Sequence, residues 1–294
     1  MKDNRGWALR PSFPEELPQQ MALWRRIFGD TQEFLDYFYN TCCSPRDVVV
    51  LEEKGEVCSM AAILPMTVCF PDGRIASAGY IYAFCTRPED RGRGMGGAIL
   101  DYADRYLKEK GADGVILVPA EKSLYEYFGS HGYRKCFLKR IWEVARNEIS
   151  QSGETGRAEK ISPEDYGVLR ERLLTGRFHV AYGLPLLSLQ NWISEVSGGG
   201  LFRLNVSGTE GCAAVEKSRS DYAEIKELLL PPQALPRGLE AIAAAVPATR
   251  YQVRIPALEI EGDERPFGMM KWYREDLSGI LNGGQSGYLG FGFD

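Results

Sequence analysis

The sequence has little of what metal-dependent and triad-based enzymes use. Its 294 residues include only two histidines, His131 and His179, and contain no Cys-x-x-Cys pair. Since histidine is a common zinc ligand and general base, we interpret both histidines as structural or surface residues and predict no metal site. The seven cysteines form an odd set without histidines at ligand spacing. We interpret them as reduced, mostly buried thiols of a cytoplasmic protein.

The chain also lacks long apolar runs and an excess of positive charge. No apolar run approaches the roughly 18 residues of a membrane span, and the first residues lead into no apolar signal region, so we expect neither membrane insertion nor secretion. The net charge of -5 argues against a nucleic-acid-binding protein, which usually carries a basic face. At this length we expect two domains, each able to bury its own core.

The order of helical and strand patterns predicts an α/β (α+β) protein. In residues 1–145, strands mix with helices around one strand-loop-helix-strand crossover, which is typical of a mixed central sheet. Residues 146–160 are polar and without apolar periodicity, so we predict a linker there. Residues 161–294 repeat the order helix, helix, three strands, helix, strand, with a last strand expected at 288–293. We interpret this half as a degenerate copy of the first.

A glycine-rich segment, Arg91 to Gly97, lies between an apolar strand pattern at 75–86 and a helical pattern at 98–110. Glycines allow several consecutive backbone N–H groups to face one ligand, and the first helical turn adds unpaired donors and the positive end of its dipole. Arg91 and Arg93 add full charges. The segment therefore predicts a site for phosphate or pyrophosphate.

Two other interpretations of this segment are weaker. Gly92, Gly94 and Gly97 fit the dinucleotide pattern G-x-G-x-x-G, but residues 87–91 separate them from the strand, and the next strand is followed by Pro119 instead of an acidic residue. A plain turn without a ligand does not need this density of glycine, which costs backbone entropy.

The run from Ile81 to Gly96 resembles the acetyl-CoA-binding segment of the GNAT N-acetyltransferase superfamily, whose signature is Gln or Arg, two residues, Gly, one residue, then Gly or Ala. Arg91, Gly94 and Gly96 fill it. The resemblance implies a GNAT fold and transfer of acetyl from acetyl-CoA to a primary amine of an unidentified small-molecule or peptide acceptor by direct attack. It also implies that the CoA pyrophosphate is held by backbone N–H groups of Arg91, Gly92, Arg93, Gly94, Met95 and Gly96, and that pantetheine pairs with Phe84, Cys85 and Thr86.

The sequence departs from the family at the expected catalytic acid. Many members have a tyrosine four residues before a Gly-Phe pair, and here that position is Phe128, before Gly132-Tyr133. Either Tyr127 or Tyr125 substitutes, or the thiolate leaves unaided, or the domain binds CoA without efficient turnover. Tyr127 is the nearer candidate. The last outcome describes a CoA-binding regulatory or sensory module, the alternative to an enzyme.

The general base and the role of the second half are the remaining questions. The strand pattern at 75–86 contains no carboxylate. The two-copy organisation resembles the acetyltransferases related to the enhanced-intracellular-survival aminoglycoside enzymes, in which the terminal carboxylate reaches the active site. Asp294 is therefore the candidate base. The second half has Pro231 and Pro232 where a cofactor loop would need N–H donors, so we predict that it binds no CoA.

Overall fold

The computed structural model describes residues 6–149, 156–219, 221–256, 264–278 and 286–293. The chain divides into two compact units that interleave in the sequence. The first unit contains Met1–Thr67, Ala76–Arg134 and Met269–Asn282, and the second contains Val68–Ile75, Lys135–Gly268 and Gly283–Asp294. Residues 135–145, which the predicted bounds placed in the first domain, thus group with the second unit, and 269–282 group with the first. No helix among the described residues is long and apolar enough to cross a membrane.

The elements alternate along the whole chain. In order they are β1 (Ala8–Pro11), α1 (Leu17–Phe28), α2 (Gln32–Thr41), β2 (Val48–Glu53), β3 (Glu56–Cys69), β4 (Ile75–Thr86), α3 (Met95–Glu109), β5 (Gly114–Leu117), α4 (Leu124–Ser130) and β6 (Arg134–Ala145). They continue with β7 (Arg157–Lys160), α5 (Pro163–Leu173), β8 (His179–Ala181), α6 (Leu184–Val196), β9 (Gly200–Val206), β10 (Thr209–Arg219), β11 (Tyr222–Leu229), α7 (Leu235–Ala245), β12 (Arg250–Pro256), β13 (Glu264–Trp272) and α8 (Glu275–Ser278).

The first unit is built on a mixed sheet with the strand order β1-β2-β3-β4-β5-β13. β4 and β5 run parallel and are joined by α3, while the part of β13 from Met269 to Trp272 pairs antiparallel with β5. Apolar residues at helical spacing on α3, including Ile99, Ala103 and Leu107, pack against this sheet in one core. A parallel crossover brings the N-terminus of its helix to the end of the preceding strand, so the glycine-rich segment lies at the end of β4.

The second unit repeats this plan. Its sheet has the order β6-β12-β11-β10-β9-β7, in which β11 and β12 run parallel and are joined by α7. The residues of β9 to β12 that face α7 form its core. Each unit therefore runs strand, two helices, three strands, helix and parallel strand, and the second unit adds the short β8 between its first two helices. The predicted α/β class with a mixed sheet is confirmed.

A charged pair lies in the interior of the second unit. Arg170 on α5 donates from Nε to Glu227 Oε2 on β11 at 3.0 Å, and both side chains are 1% exposed or less. Tyr166 donates to the same carboxylate at 2.6 Å, and Arg170 Nη1 donates to the Val180 carbonyl at 2.8 Å. A Cβ on Gly290 would lie 2.7 Å from Glu227 Oε1, so the C-terminal segment passes directly over this pair.

Two predicted segments differ in the structure. In place of a strand at 288–293 there is a single bridge between His179 and Tyr288, followed by turns. Gly290 and Gly292 have φ values of 83° and 68°, which are incompatible with an extended strand. The linker predicted at 146–160 contains β7, which pairs antiparallel with β9. Only Ala158 of β7 packs against the apolar core, so its strand pattern was not visible in the sequence.

Candidate active site

The cofactor loop, residues 91–96, passes directly into α3. The helix begins at Met95, three residues earlier than the pattern at 98–110 predicted, and Gly94 occupies its N-cap position. Gly92 and Gly94 have φ values of 76° and 82°, and a Cβ on either would meet nothing within 4 Å. These two glycines are therefore required by the backbone conformation and not by lack of space.

The loop presents a continuous row of backbone donors. Within the described part of the chain, the N–H groups of residues 92–97 donate no hydrogen bond, while the neighbouring Arg91 and Ala98 donate to Pro88 and Gly94 carbonyls. Unpaired donors in a row at a helix N-terminus, together with the helix dipole, favour an anion. The pyrophosphate site predicted from the sequence would use these donors.

The two arginines of the loop have different surroundings. The Arg93 side chain donates to Glu53 at 2.8 Å and also to Asp90, which is 4% exposed. Asp90 also accepts from Arg87 Nε at 2.6 Å. The Arg91 side chain is exposed and makes no hydrogen bond or salt bridge to the residues that the structure describes. The Arg93 side chain therefore fixes the position of the loop, and the Arg93 backbone N–H remains available to a ligand. The positive charge of the Arg91 side chain is available to pair with an anionic ligand.

β4 separates from its parallel partner just before the loop. Pairing between β4 and β5 runs from Ala78 with Gly114 to Ile81 with Leu117, where β5 ends. β4 continues to Thr86, after a left-handed residue at Ala83 with φ 50°. Since β5 stops, Phe84, Cys85 and Thr86 have a strand edge on which an extended ligand can pair.

The side chain of Ser59 on β3 fixes the end of β4. Ser59, fully buried, donates from Oγ to the Cys85 carbonyl at 2.8 Å and lies 2.7 Å from Thr86 Oγ1. Burial raises the pKa of the Cys85 thiol to about 12. At neutral pH this thiol is protonated, which makes it a poor nucleophile.

The structure brings Tyr127 to the cofactor loop. A Cβ on Gly96 would lie 3.0 Å from Tyr127 Oη and 3.1 Å from Phe84 Cζ. The Tyr127 hydroxyl makes no hydrogen bond within the described ranges. Burial, with a smaller contribution from Asp101, raises its pKa above the ordinary value of 10, so the hydroxyl keeps its proton at neutral pH. Tyr127 is thus a potential hydrogen-bond donor beside the first turn of α3.

The other aromatic residues near the site serve packing. Phe128 is 3% exposed, and its ring lies 5.9 Å from those of Phe84 and Tyr133. Tyr82 on β4 packs against Trp24 and Phe38, with centroid distances of 5.5 and 5.7 Å. Asp294, the predicted base, lies outside the described residues.

Sequence reasoning missed the residues that support the loop, namely Glu53, Ser59 and Asp90. For Asp90 a signal was present, because Arg87 and Arg93 each stand three residues from it. Glu53 and Ser59 come from the preceding hairpin, and no local spacing connects them to the loop.

Known proteins resemble this chain in sequence over its first half and in fold over most of its length. Residues 8–133 match the acetyltransferase (GNAT) domain family. A GCN5-related N-acetyltransferase from Anabaena variabilis superimposes with a TM-score of 0.70 at 13% identity, covering 90% of this chain and 72% of the other. Eis1 from Mycobacterium abscessus gives 0.67 at 12% identity, with 90% and 73% covered. A tandem GNAT protein from the clavulanic acid biosynthesis pathway gives 0.54 at 12% identity, with 90% and 98% covered.

These superpositions establish a common fold, while the family match is specific to the first half of the sequence. The matched region includes β4, the cofactor loop, α3 and Tyr127. Residues 8–133 therefore form an acetyltransferase (GNAT) domain by their match to that family, and the chain shares its fold with Eis1 and a tandem GNAT protein.

Proposed function

We propose that the protein binds acetyl-CoA at residues 84–96 and transfers the acetyl group directly to a primary amine. The observation that carries this proposal is the row of unpaired N–H groups at residues 92–97, next to a strand edge left open where β5 ends. A pyrophosphate with an extended amide-containing arm requires both features side by side.

Two parts of the cofactor, the pyrophosphate and the pantetheine arm, have counterparts in the first unit. The backbone N–H groups of the loop and the positive end of α3 hold the pyrophosphate, and Arg91 adds a charge that no described residue neutralises by a salt bridge. The backbone of Phe84 to Thr86 pairs with the pantetheine amides as an added strand would. The thioester is then placed beside the end of β4.

The chemistry needs one proton acceptor and one proton donor. The amine nitrogen, once deprotonated, attacks the thioester carbonyl carbon, the C–S bond breaks, and the departing thiolate takes a proton. Tyr127 supplies that proton in our proposal, because its raised pKa keeps it protonated beside the loop. Asp294 remains the proposed base. Cys85 takes no part as a nucleophile, since burial raises its pKa to about 12.

The binding half of the proposal is tested by titrating CoA into a Gly94→Ala variant. Gly73 is the matched control, because its φ of 83° and its open surroundings equal those of Gly94. Each alanine costs about 1–2 kcal/mol of stability, since a non-glycine residue is forced into a left-handed conformation. We expect only the Gly94→Ala variant to weaken CoA binding, by at least tenfold. Equal CoA affinity of both variants would contradict the site.

The catalytic half is tested by thiol release from acetyl-CoA over a panel of amines. We expect turnover on at least one amine, and a Tyr127→Phe variant that binds CoA normally but has kcat lowered by about 10²-fold, the usual contribution of a positioned acid. Tyr106→Phe, on the partly exposed surface of α3, is the control. Tight CoA binding without turnover on any amine would instead favour a CoA-binding regulatory module.

A further inference from the structure

Three potential metal ligands meet in the second unit, away from the cofactor loop in sequence. They are Cys69 at the end of β3, Glu171 on α5 and His179 at the start of β8. Their ligand atoms all lie within 4.8 Å of one another, and His179 Nε2 is 3.0 Å from Glu171 Oε2. Such convergence was not predicted, because the three residues come from separate elements.

The imidazole of His179 is held in one orientation. Its Nδ1 lies 2.9 Å from the Arg177 carbonyl, which can only accept, so Nδ1 carries a proton. Nε2 then faces Glu171. A ring whose Nδ1–H donates to a backbone carbonyl and whose Nε2 faces other ligands is the usual arrangement of a metal-binding histidine. His179 is 4% exposed, so its surroundings fix the ring.

The two chain segments that carry the thiol and the imidazole are packed together. Phe70 and Phe178, each adjacent to a member of the cluster, have ring centroids 5.3 Å apart and an interplanar angle of 35°. This contact keeps Cys69 close to His179. Cys69 is partly exposed and the Glu171 side chain is 40% exposed, which leaves a path for an ion to enter.

The spacing does not fit a cysteine nucleophile with a histidine base and a carboxylate that orients it. In that arrangement the thiol and the carboxylate lie on opposite sides of the imidazole, separated by the ring and two hydrogen bonds, about 7 Å or more. Here the sulfur and the carboxylate oxygen are within 4.8 Å of each other. The three ligand atoms therefore surround a common point, as metal ligands do. They do not form the linear thiol–imidazole–carboxylate arrangement of a cysteine nucleophile.

We propose that Cys69, Glu171 and His179 bind a Zn²⁺ ion, with a fourth position open to water. Zinc takes sulfur, imidazole nitrogen and carboxylate oxygen at about 2.0–2.3 Å, which places tetrahedral ligand atoms about 3.5 Å apart. The observed separations require only small side-chain adjustments to reach this value. A thiolate and a carboxylate also balance the charge of the ion. Arg170 Nη1, 3.0 Å from Glu171 Oε1, orients the carboxylate from outside.

The intact protein is treated with a chelator and then reloaded with zinc, and its zinc content is measured. We expect one Zn²⁺ per chain by elemental analysis, and a sulfur-to-metal charge-transfer band in the ultraviolet when Cd²⁺ replaces it. Cys69→Ser and His179→Gln are each expected to lower zinc affinity at least tenfold and to reduce the rise in Tm caused by zinc. Cys42→Ser, at another partly exposed cysteine, is the matched control.

Two outcomes would overturn the proposal. One is a wild-type protein that retains no zinc and shows no change in Tm on zinc addition, which would make the cluster a set of structural hydrogen bonds only. The other is equal zinc affinity in the wild type and the Cys69→Ser variant. Because Cys69→Ser is nearly isosteric, the test does not depend on whether the His179→Gln variant folds.

Discussion

Glu227→Gln should destabilise the second unit far more than its small change in shape suggests. Arg170 and Glu227 are both buried, and the carboxylate accepts hydrogen bonds from Arg170 and Tyr166. The amide of the E227Q variant can still accept the Tyr166 hydroxyl. It cannot balance the guanidinium charge. Among the described residues, the other carboxylate that pairs with Arg170 is that of Glu171, which is partly exposed.

The size of the effect follows from burial. Removing one partner of a buried ion pair leaves an uncompensated charge in the interior and costs about 3–5 kcal/mol. Arg170→Met removes the cation and leaves Glu227 unpaired, so we expect a cost of the same order. In the double variant neither charge remains. Its cost should therefore fall below the sum of the two single costs by at least about 2 kcal/mol.

The assay is urea unfolding followed by circular dichroism, with the four proteins of a double-mutant cycle. The control is the surface pair Arg26–Glu89, which has a similar N–O distance of 2.8 Å but side chains 52% and 51% exposed. Water and salt screen that pair, so Glu89→Gln should change stability little. Additive single costs, or an E227Q cost no greater than that of E89Q, would refute the reasoning.

Two further predictions concern the first unit. A fragment of residues 1–145 should not fold cooperatively, because it lacks the β13 segment that pairs with β5. Asp104, which is 7% exposed, would also lose its partners Lys271 and Tyr273. Proton NMR or limited proteolysis would show this, and a sharp unfolding transition would contradict it. The Cys85→Ser variant should transfer acetyl at a rate within a few-fold of the wild-type rate at pH 7.5. A thiol with a pKa of about 12 is ionised in fewer than roughly one in 10⁴ molecules at that pH. A loss of rate above 100-fold would indicate a covalent acyl intermediate.

The sequence predicted the strand, loop and helix around residues 91–96 because this arrangement is local. Strand, glycine loop and helix are consecutive, and the positive φ values of Gly92 and Gly94 follow from residue type and position. The role of Arg93 could not be predicted in the same way. Its partner Glu53 comes from the earlier hairpin, and only the folded chain brings the two together.

Long-range pairing explains the other differences. The first unit takes a strand segment from residues 269–272, which no composition change marks in the sequence. The Cys69–Glu171–His179 cluster likewise joins three elements without ligand spacing, so no sequence pattern indicated that these side chains converge. The alternation of apolar residues at 288–293 predicted a strand. The positive φ values of Gly290 and Gly292 instead give turns there.

The second unit keeps the crossover of the first, but the segment that leads into its crossover helix is rich in proline. Pro231 and Pro232 between β11 and α7, and Pro236 in the first turn of α7, carry no N–H, so the row of donors found at 92–97 cannot form. Leu230 fills the space beside α7, because a Cβ on Gly238 would lie 2.2 Å from its side chain.

The cavity that remains at the ends of β11 and β12 measures about 180 Å³ and is lined mainly by leucine and proline side chains. This is below the roughly 300–1,000 Å³ of ordinary ligand sites, and Arg177 is the one charged residue among the described residues of its lining. Calorimetric titration should therefore give one CoA per chain, and Gly94→Ala should weaken that single site without exposing another. A stoichiometry of two would show that an anion can be held without the backbone donors on which the assignment of the cofactor loop depends.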